Sequence, residues 1–114
     1  MKRSHLVMAL VALAGIGLMM LARGAWADRR ILSERWIELS STPCDINPNY
    51  GYLWWLNTDR GRYASASPES IFAGGAGANS TWIDPANGIV AVLRWIDASV
   101  MDGFISRVMS ALTS

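Results

Sequence analysis

The apolar positions begin as one block and then break into shorter groups. Residues 6–22 hold seventeen consecutive positions without a charged or hydrogen-bonding side chain. Residues 31–39 predict a helix: Ser33 stands where an N-cap accepts a backbone N–H, Glu34 lies near the positive helix end, and Trp36 with Ile37 would face inward. Pro43, Asn47, Pro48 and Asn49 mark residues 40–49 as a loop. Residues 50–56 form an aromatic, apolar run of strand length. A turn at 57–61 and a small, polar connection at 62–70 follow. Residues 72–79 hold Gly74, Gly75 and Gly77, which let a backbone approach another group closely. Residues 80–83 and 89–95 read as strands of a hairpin turning at Asp84-Pro85-Ala86-Asn87-Gly88. The second of these is apolar on both faces, which predicts a central, covered strand. The last segment predicts a helix with Ser99 and Asp102 as a capping box. Val100, Met101, Phe104, Ile105, Val108, Met109 and Leu112 form its apolar stripe, suited to packing on a sheet. The expected fold class is α+β, an α/β sandwich of antiparallel strands covered by helices.

Composition narrows the function classes. The 114 residues are 52% hydrophobic and 17% charged, which excludes a disordered chain. A formal net charge of +1 gives no basis for general nucleic-acid binding. The single cysteine, Cys44, excludes an internal disulfide framework and a cysteine-based zinc site. Asp59, Asp97 and Asp102 sit in no metal-ligand pattern, and neither metal nor cofactor is expected. His5 stands alone beside the apolar run, and no base accompanies Cys44. The first 30 residues carry a charge of +4 and the rest −3. Lys2 and Arg3, the apolar run and Ala25-Trp26-Ala27 resemble a secretory signal cleaved before Asp28. The run exceeds the usual signal core, however, and Arg23 and Trp26 crowd the cleavage region. It also lies at the lower length limit of a membrane span.

Three groups of residues resemble a known family. Tyr50-Gly51-Tyr52-Leu53-Trp54-Trp55, the stretch from Phe72 through Ala73-Gly74-Gly75-Ala76-Gly77-Ala78 to Asn79, and Trp82-Ile83-Asp84-Pro85 look like the C-terminal end of the serine β-lactamase-related hydrolases. These include class C β-lactamases, penicillin-binding peptidases, related esterases and 6-aminohexanoate-oligomer hydrolases. The likeness extends back through Gly24-Ala25-Trp26 and the helix before it, from about Met8 to Leu112. It implies that residues 1–114 are a partial domain. The apolar run would then be a domain helix in which Val11, Ala12 and Gly15 replace the family's charged residues.

The resemblance implies acyl transfer from an ester, amide or lactam to water through an acyl-serine. The family's Ser-x-x-Lys places a nucleophile and its base one helical turn apart. This sequence has no Ser-x-x-Lys, and Tyr50, Tyr52 and Tyr63 are not in the family's Tyr-x-Asn context. The chain alone is therefore expected to be inactive. Ala73, Gly74 and Gly75 take the place of the family's Lys-Thr-Gly on the edge strand. That leaves recognition of a substrate carboxylate there without its usual cation. The backbone N–H of Ala76 is the implied oxyanion-hole donor. Tyr52, Trp54 and Asn79 are the implied pocket wall. The expected partner is a small ester, amide or lactam substrate in the complete enzyme, with neither nucleic acid nor a membrane span favoured. The compartment stays open between cytoplasm and periplasm. The alternative is a small, exported, non-enzymatic binding protein beginning at Asp28.

Overall fold

The computed structural model describes residues 2–75 and 79–113. Within them, three α-helices and two antiparallel sheets make an α+β fold. The order is α1 (Arg3–Leu21), β1 (Ala25–Trp26), β2 (Arg29–Arg30), α2 (Glu34–Ser40), β3 (Trp55–Leu56), β4 (Ile71–Gly75), β5 (Asn79–Asp84), β6 (Ile89–Leu93) and α3 (Met101–Thr113). Short 3₁₀ turns lie at Thr58–Arg60 and Ala98–Val100. β1 and β2 pair as a small hairpin, and the main sheet has the order β3-β4-β5-β6.

Alternation along the strands divides the apolar side chains between two cores. Leu56, Ile71, Ile83 and Val90 lie side by side across the sheet. They pack with Met20 of α1 and Ile37 of α2. One residue along each strand, Trp55, Phe72, Trp82 and Ala91 form the opposite row. This row packs with Met101 and Ile105 of α3. The sheet is thus covered on both faces by helices.

α1 meets the sheet through its C-terminal half. Gly17 is buried, and a Cβ there would stand 2.5 Å from Val90 Cγ1. Only a glycine lets the helix backbone lie this close. The N-terminal half is bare, with Met8 67% and Val11 65% exposed. The helix ends in a Schellman-type turn: Arg23 takes φ 56° and Gly24 donates its N–H to Met19 O at 2.9 Å. Gly24 O then accepts the N–H groups of Ile31 and Leu32 at 2.8 and 3.0 Å.

Local signals that need no tertiary partner read correctly. Ser33 caps α2 and accepts the Trp36 N–H at 3.0 Å. Asp84 accepts the N–H groups of Ala86 and Asn87, which shapes the β5–β6 turn. Four other expectations are corrected. Trp36 is 48% exposed, because Ile37 alone points into the core and Trp36 stacks on Tyr52 outside it. Residues 50–54 turn back on themselves, with Leu53 at φ 66° and Gly51 N–H bonded to Trp54 O at 2.9 Å. Gly51 lies against Ser40 O, so packing onto the end of α2 overrides strand propensity. β6 sits at one end of the strand order, and β5 is the buried inner strand. Asp97, rather than Ser99, caps the turn leading into α3, while Asp102 reaches across to Ser65.

Candidate functional site

The loop after β3 is held from inside by one side chain. Asn57 is fully buried and accepts the N–H groups of Arg62 and Tyr63 at 3.1 and 2.8 Å. Its Nδ2 donates to the carbonyls of Tyr63, Ala66 and Ser67 at 2.9, 3.1 and 3.0 Å. Asp102 at the start of α3 fastens the same loop, accepting the Ser65 N–H and Oγ–H at 3.0 Å each. A further buried chain runs from Asp84 to Ser67 Oγ at 2.7 Å, on to Ser70 Oγ, and to Trp82 Nε1 at 3.0 Å. Buried polar groups satisfied this fully rigidify the backbone that carries them.

The fixed loop delivers Arg62 and Tyr63 to one end of the sheet. There they join Trp55, Gly74, Gly75, Asn79, Ser80, Ile96, Ala98 and Met101 around a cavity of about 320 Å³. Arg62 lies over the Trp55 ring at 4.4 Å and beside the Tyr63 ring at 5.4 Å. Tyr63 in turn meets Phe72 edge-on at 5.0 Å. The sheet itself opens at this point. β3 pairs with β4 only at Trp55↔Phe72 and Leu56↔Ile71, so Ala73, Gly74 and Gly75 have a strand partner on the β5 side alone among the described residues. A Cβ on Gly75 would meet nothing within 4 Å, and one on Gly74 would meet only Trp55, at 3.8 Å. The glycines thus leave an uncovered strip of backbone beside the cavity.

Among the implied site residues, Gly74, Gly75 and Asn79 come together around this cavity. Ala73 is the neighbouring residue on β4. Asn79 Oδ1 accepts Arg94 Nε at 2.8 Å and ties β5 to the end of β6. Ala76 lies outside the described residues. Tyr52 is exposed against Trp36, and Trp54 packs on the α1–α2 core, so neither lines the cavity. Trp55 and Arg62 do line it; the sequence marks Trp55 as a core or pocket-wall residue and gives no sign of Arg62. Trp55 follows from strand parity once the register with Phe72 is known. Arg62 is placed by a loop that only a buried Asn57 explains.

A second cavity, of about 660 Å³, lies among Met20, Ile37, Leu56 and Ile71. It is larger, and Arg23, Glu38, Asp59 and Glu69 also line it, but among the described residues no implied site residue does. His5 is exposed on the first turn of α1, and Cys44 Sγ points at Asn47 O at 3.4 Å. Among the described residues no three His, Cys, Asp or Glu side chains form a metal-binding group. The lining of the smaller cavity includes, among the described residues, no His, Lys, Asp or Glu. Neither a protein-family model nor a curated protein matches the chain.

Proposed function

We propose that this chain supplies the substrate-facing strand edge and pocket wall of a serine β-lactamase-related hydrolase, with the nucleophile carried outside this sequence. The observation that supports this reading is the open backbone of Ala73–Gly74–Gly75 beside a preformed cavity. An extended acyl group can lie along such an edge by main-chain hydrogen bonds. The serine and its base would come from the part of the enzyme bearing Ser-x-x-Lys. The test is covalent labelling by a chromogenic ester. The chain joined in frame to its upstream coding sequence takes one acyl group on a Ser-x-x-Lys serine, and the chain alone takes none. Labelling of the chain alone, or an upstream frame without that motif, overturns the proposal.

The second reading, an exported binding protein, draws on the bare apolar half of α1. Two observations weigh against it. Cleavage after Ala27 would cut the hairpin in which Ala25 pairs with Arg30 and Trp26 with Arg29. It would also strip Met19, Met20 and Leu21 from the sheet. The intact mass of the cellular protein decides: residues 1–27 are retained under the hydrolase reading and absent under the export reading.

A further inference from the structure

α1 carries an apolar surface that the sheet does not cover. Residues 6–22 hold no charged or hydrogen-bonding side chain, and a helix apolar all round ordinarily finds cover on every side. Gly17 and Met20 rest on the sheet, while Val7, Met8, Val11 and Leu18 are exposed on the other side. The hairpin of β1 and β2 extends this surface. The half-exposed Trp26 ring lies against Gly15, where a Cβ would stand 3.8 Å from it. Beside it is an open hollow of about 600 Å³ lined by Leu18, Leu21, Ala22, Ala25, Trp26 and Ala27. Charge is arranged around the same surface. Lys2 and Arg3 stand exposed at one end of α1, and Arg23, Arg29 and Arg30 at the other. Arg23 lies 3.9 Å from Glu34, and Arg30 donates to the carbonyls of Arg23 and Leu32. Lys2, Arg3 and Arg29 form no ion pair among the described residues. Arg29 is directly opposite Trp26 in the hairpin. Residues 1–30 carry +4 against −3 for the rest, so the apolar face is also the positive one.

We propose that this face docks on an anionic lipid surface, with α1 lying in the plane of the interface. The helix is about 28 Å long. Basic groups at both ends reach the headgroups, and the apolar side between them enters the acyl region. The folded domain takes the place of the polar face that such a helix ordinarily turns to water. Trp26 beside Arg29 suits the headgroup boundary, where an indole keeps its ring in an apolar layer and its N–H in a wet one. The hollow next to it takes part of an acyl chain. Spanning the bilayer would withdraw Met20 from Ile37, Leu56, Ile71 and Ile83. A protein partner would need a broad apolar surface with acids at both ends, whereas an anionic bilayer meets both conditions everywhere. The cavity beside β4 is lined by Trp55 and Met101, on the sheet face opposite α1, so docking leaves it open. The inference stands apart from the hydrolase reading.

The test is sedimentation of the full chain with vesicles of phosphatidylcholine, alone or with about 30% phosphatidylserine. Binding to the anionic vesicles is at least about tenfold tighter and weakens as salt rises. A basic residue near such a surface strengthens binding about fivefold, so Lys2→Gln, Arg3→Gln and Arg29→Gln together weaken it by at least about tenfold. Val7→Asp with Val11→Asp, on the exposed side, abolishes it. Lipids brominated in their tails quench the tryptophan fluorescence of the chain, and Trp26→Phe removes most of that quenching. Near-ultraviolet circular dichroism stays that of the free chain. A lack of binding to anionic vesicles, or equal binding to neutral ones, overturns the proposal. So does binding that survives either set of substitutions, or loss of the dichroism on binding, which marks a helix that has left the sheet to span. A chain that pairs through α1 and stays dimeric beside vesicles has a second copy as its occupant, and this too overturns lipid docking. The glutamine variant keeps every apolar contact, so its result decides even if the aspartates disturb folding.

Discussion

Asn57 holds the loop after β3 together, its buried amide taking part in five hydrogen bonds. Asn57→Ala leaves the Arg62 and Tyr63 N–H groups without this acceptor, and takes one of two donors from each of the Tyr63, Ala66 and Ser67 carbonyls. The expected loss is about 3 kcal/mol or more, measured by urea unfolding. Asp97 shows a smaller effect with a definite sign. The Ser99 backbone N–H, and after it the Ser99 hydroxyl, hold the Asp97 carboxyl below its ordinary 3.8. A carboxyl lowered by folding adds stability above its unfolded value and loses it as pH falls through the folded one. An NMR titration should place the Asp97 midpoint below 3.8, and in Asp97→Asn this contribution to acid unfolding disappears. The Ser33 cap and the turn at Asp84 were legible in the sequence because those bonds are local, whereas the Asp84 bond to Ser67 was not. Nor was Arg62, whose place over Trp55 is defined only once β3, β4 and the loop share one corner.

At the scale of elements, Gly17 in α1 gives the sharpest test. Glycine to alanine in a helix interior ordinarily stabilises by about 1 kcal/mol. Here the new methyl would stand 2.5 Å from a methyl of Val90, a stiff side chain on a paired strand. Overpacking costs about 1–3 kcal/mol, so Gly17→Ala should lower stability in urea unfolding. Val90→Ala in the same chain should recover part of the loss. A helix merely resting on the surface would be stabilised by the same change. The two halves of α1 should also respond differently. Met20→Ala, at a position 5% exposed, costs about 2–4 kcal/mol. Val11→Ser, on the bare half, changes stability by less than about 0.5 kcal/mol. The hairpin of β5 and β6 and the stripe of α3 could be read from periodicity and turn residues. The aromatic run at 50–56 could not. Strand propensity says that such residues fit a pleated surface, but the pull of α2 on Gly51 decides where the chain turns.

For the whole molecule, the sheet is the shared wall of two cores, and each core needs its helix. Removing residues 1–27 uncovers Ile83 and Val90 and takes Met20 out of the cluster. The chain 28–114 is expected to give no cooperative urea transition and no near-ultraviolet circular dichroism of ordered tryptophans. A cooperative transition would instead favour the export reading. The layered α+β arrangement was legible from the order of apolar blocks. Of the cavity lining, the sequence singled out Gly74, Gly75 and Asn79, since the rest is gathered from separate stretches of chain at Trp55, Arg62–Tyr63 and Ile96–Met101. On the proposed hydrolase reading, those glycines would also set how long a bound chain stays. Glycine is a poor strand former, and a Cβ on Gly75 would meet nothing within 4 Å, so an incoming chain would pair there without side chains to grip it. Such a seam would release an extended backbone as readily as it caught it, and selection among ligands would fall to the side chains around the cavity.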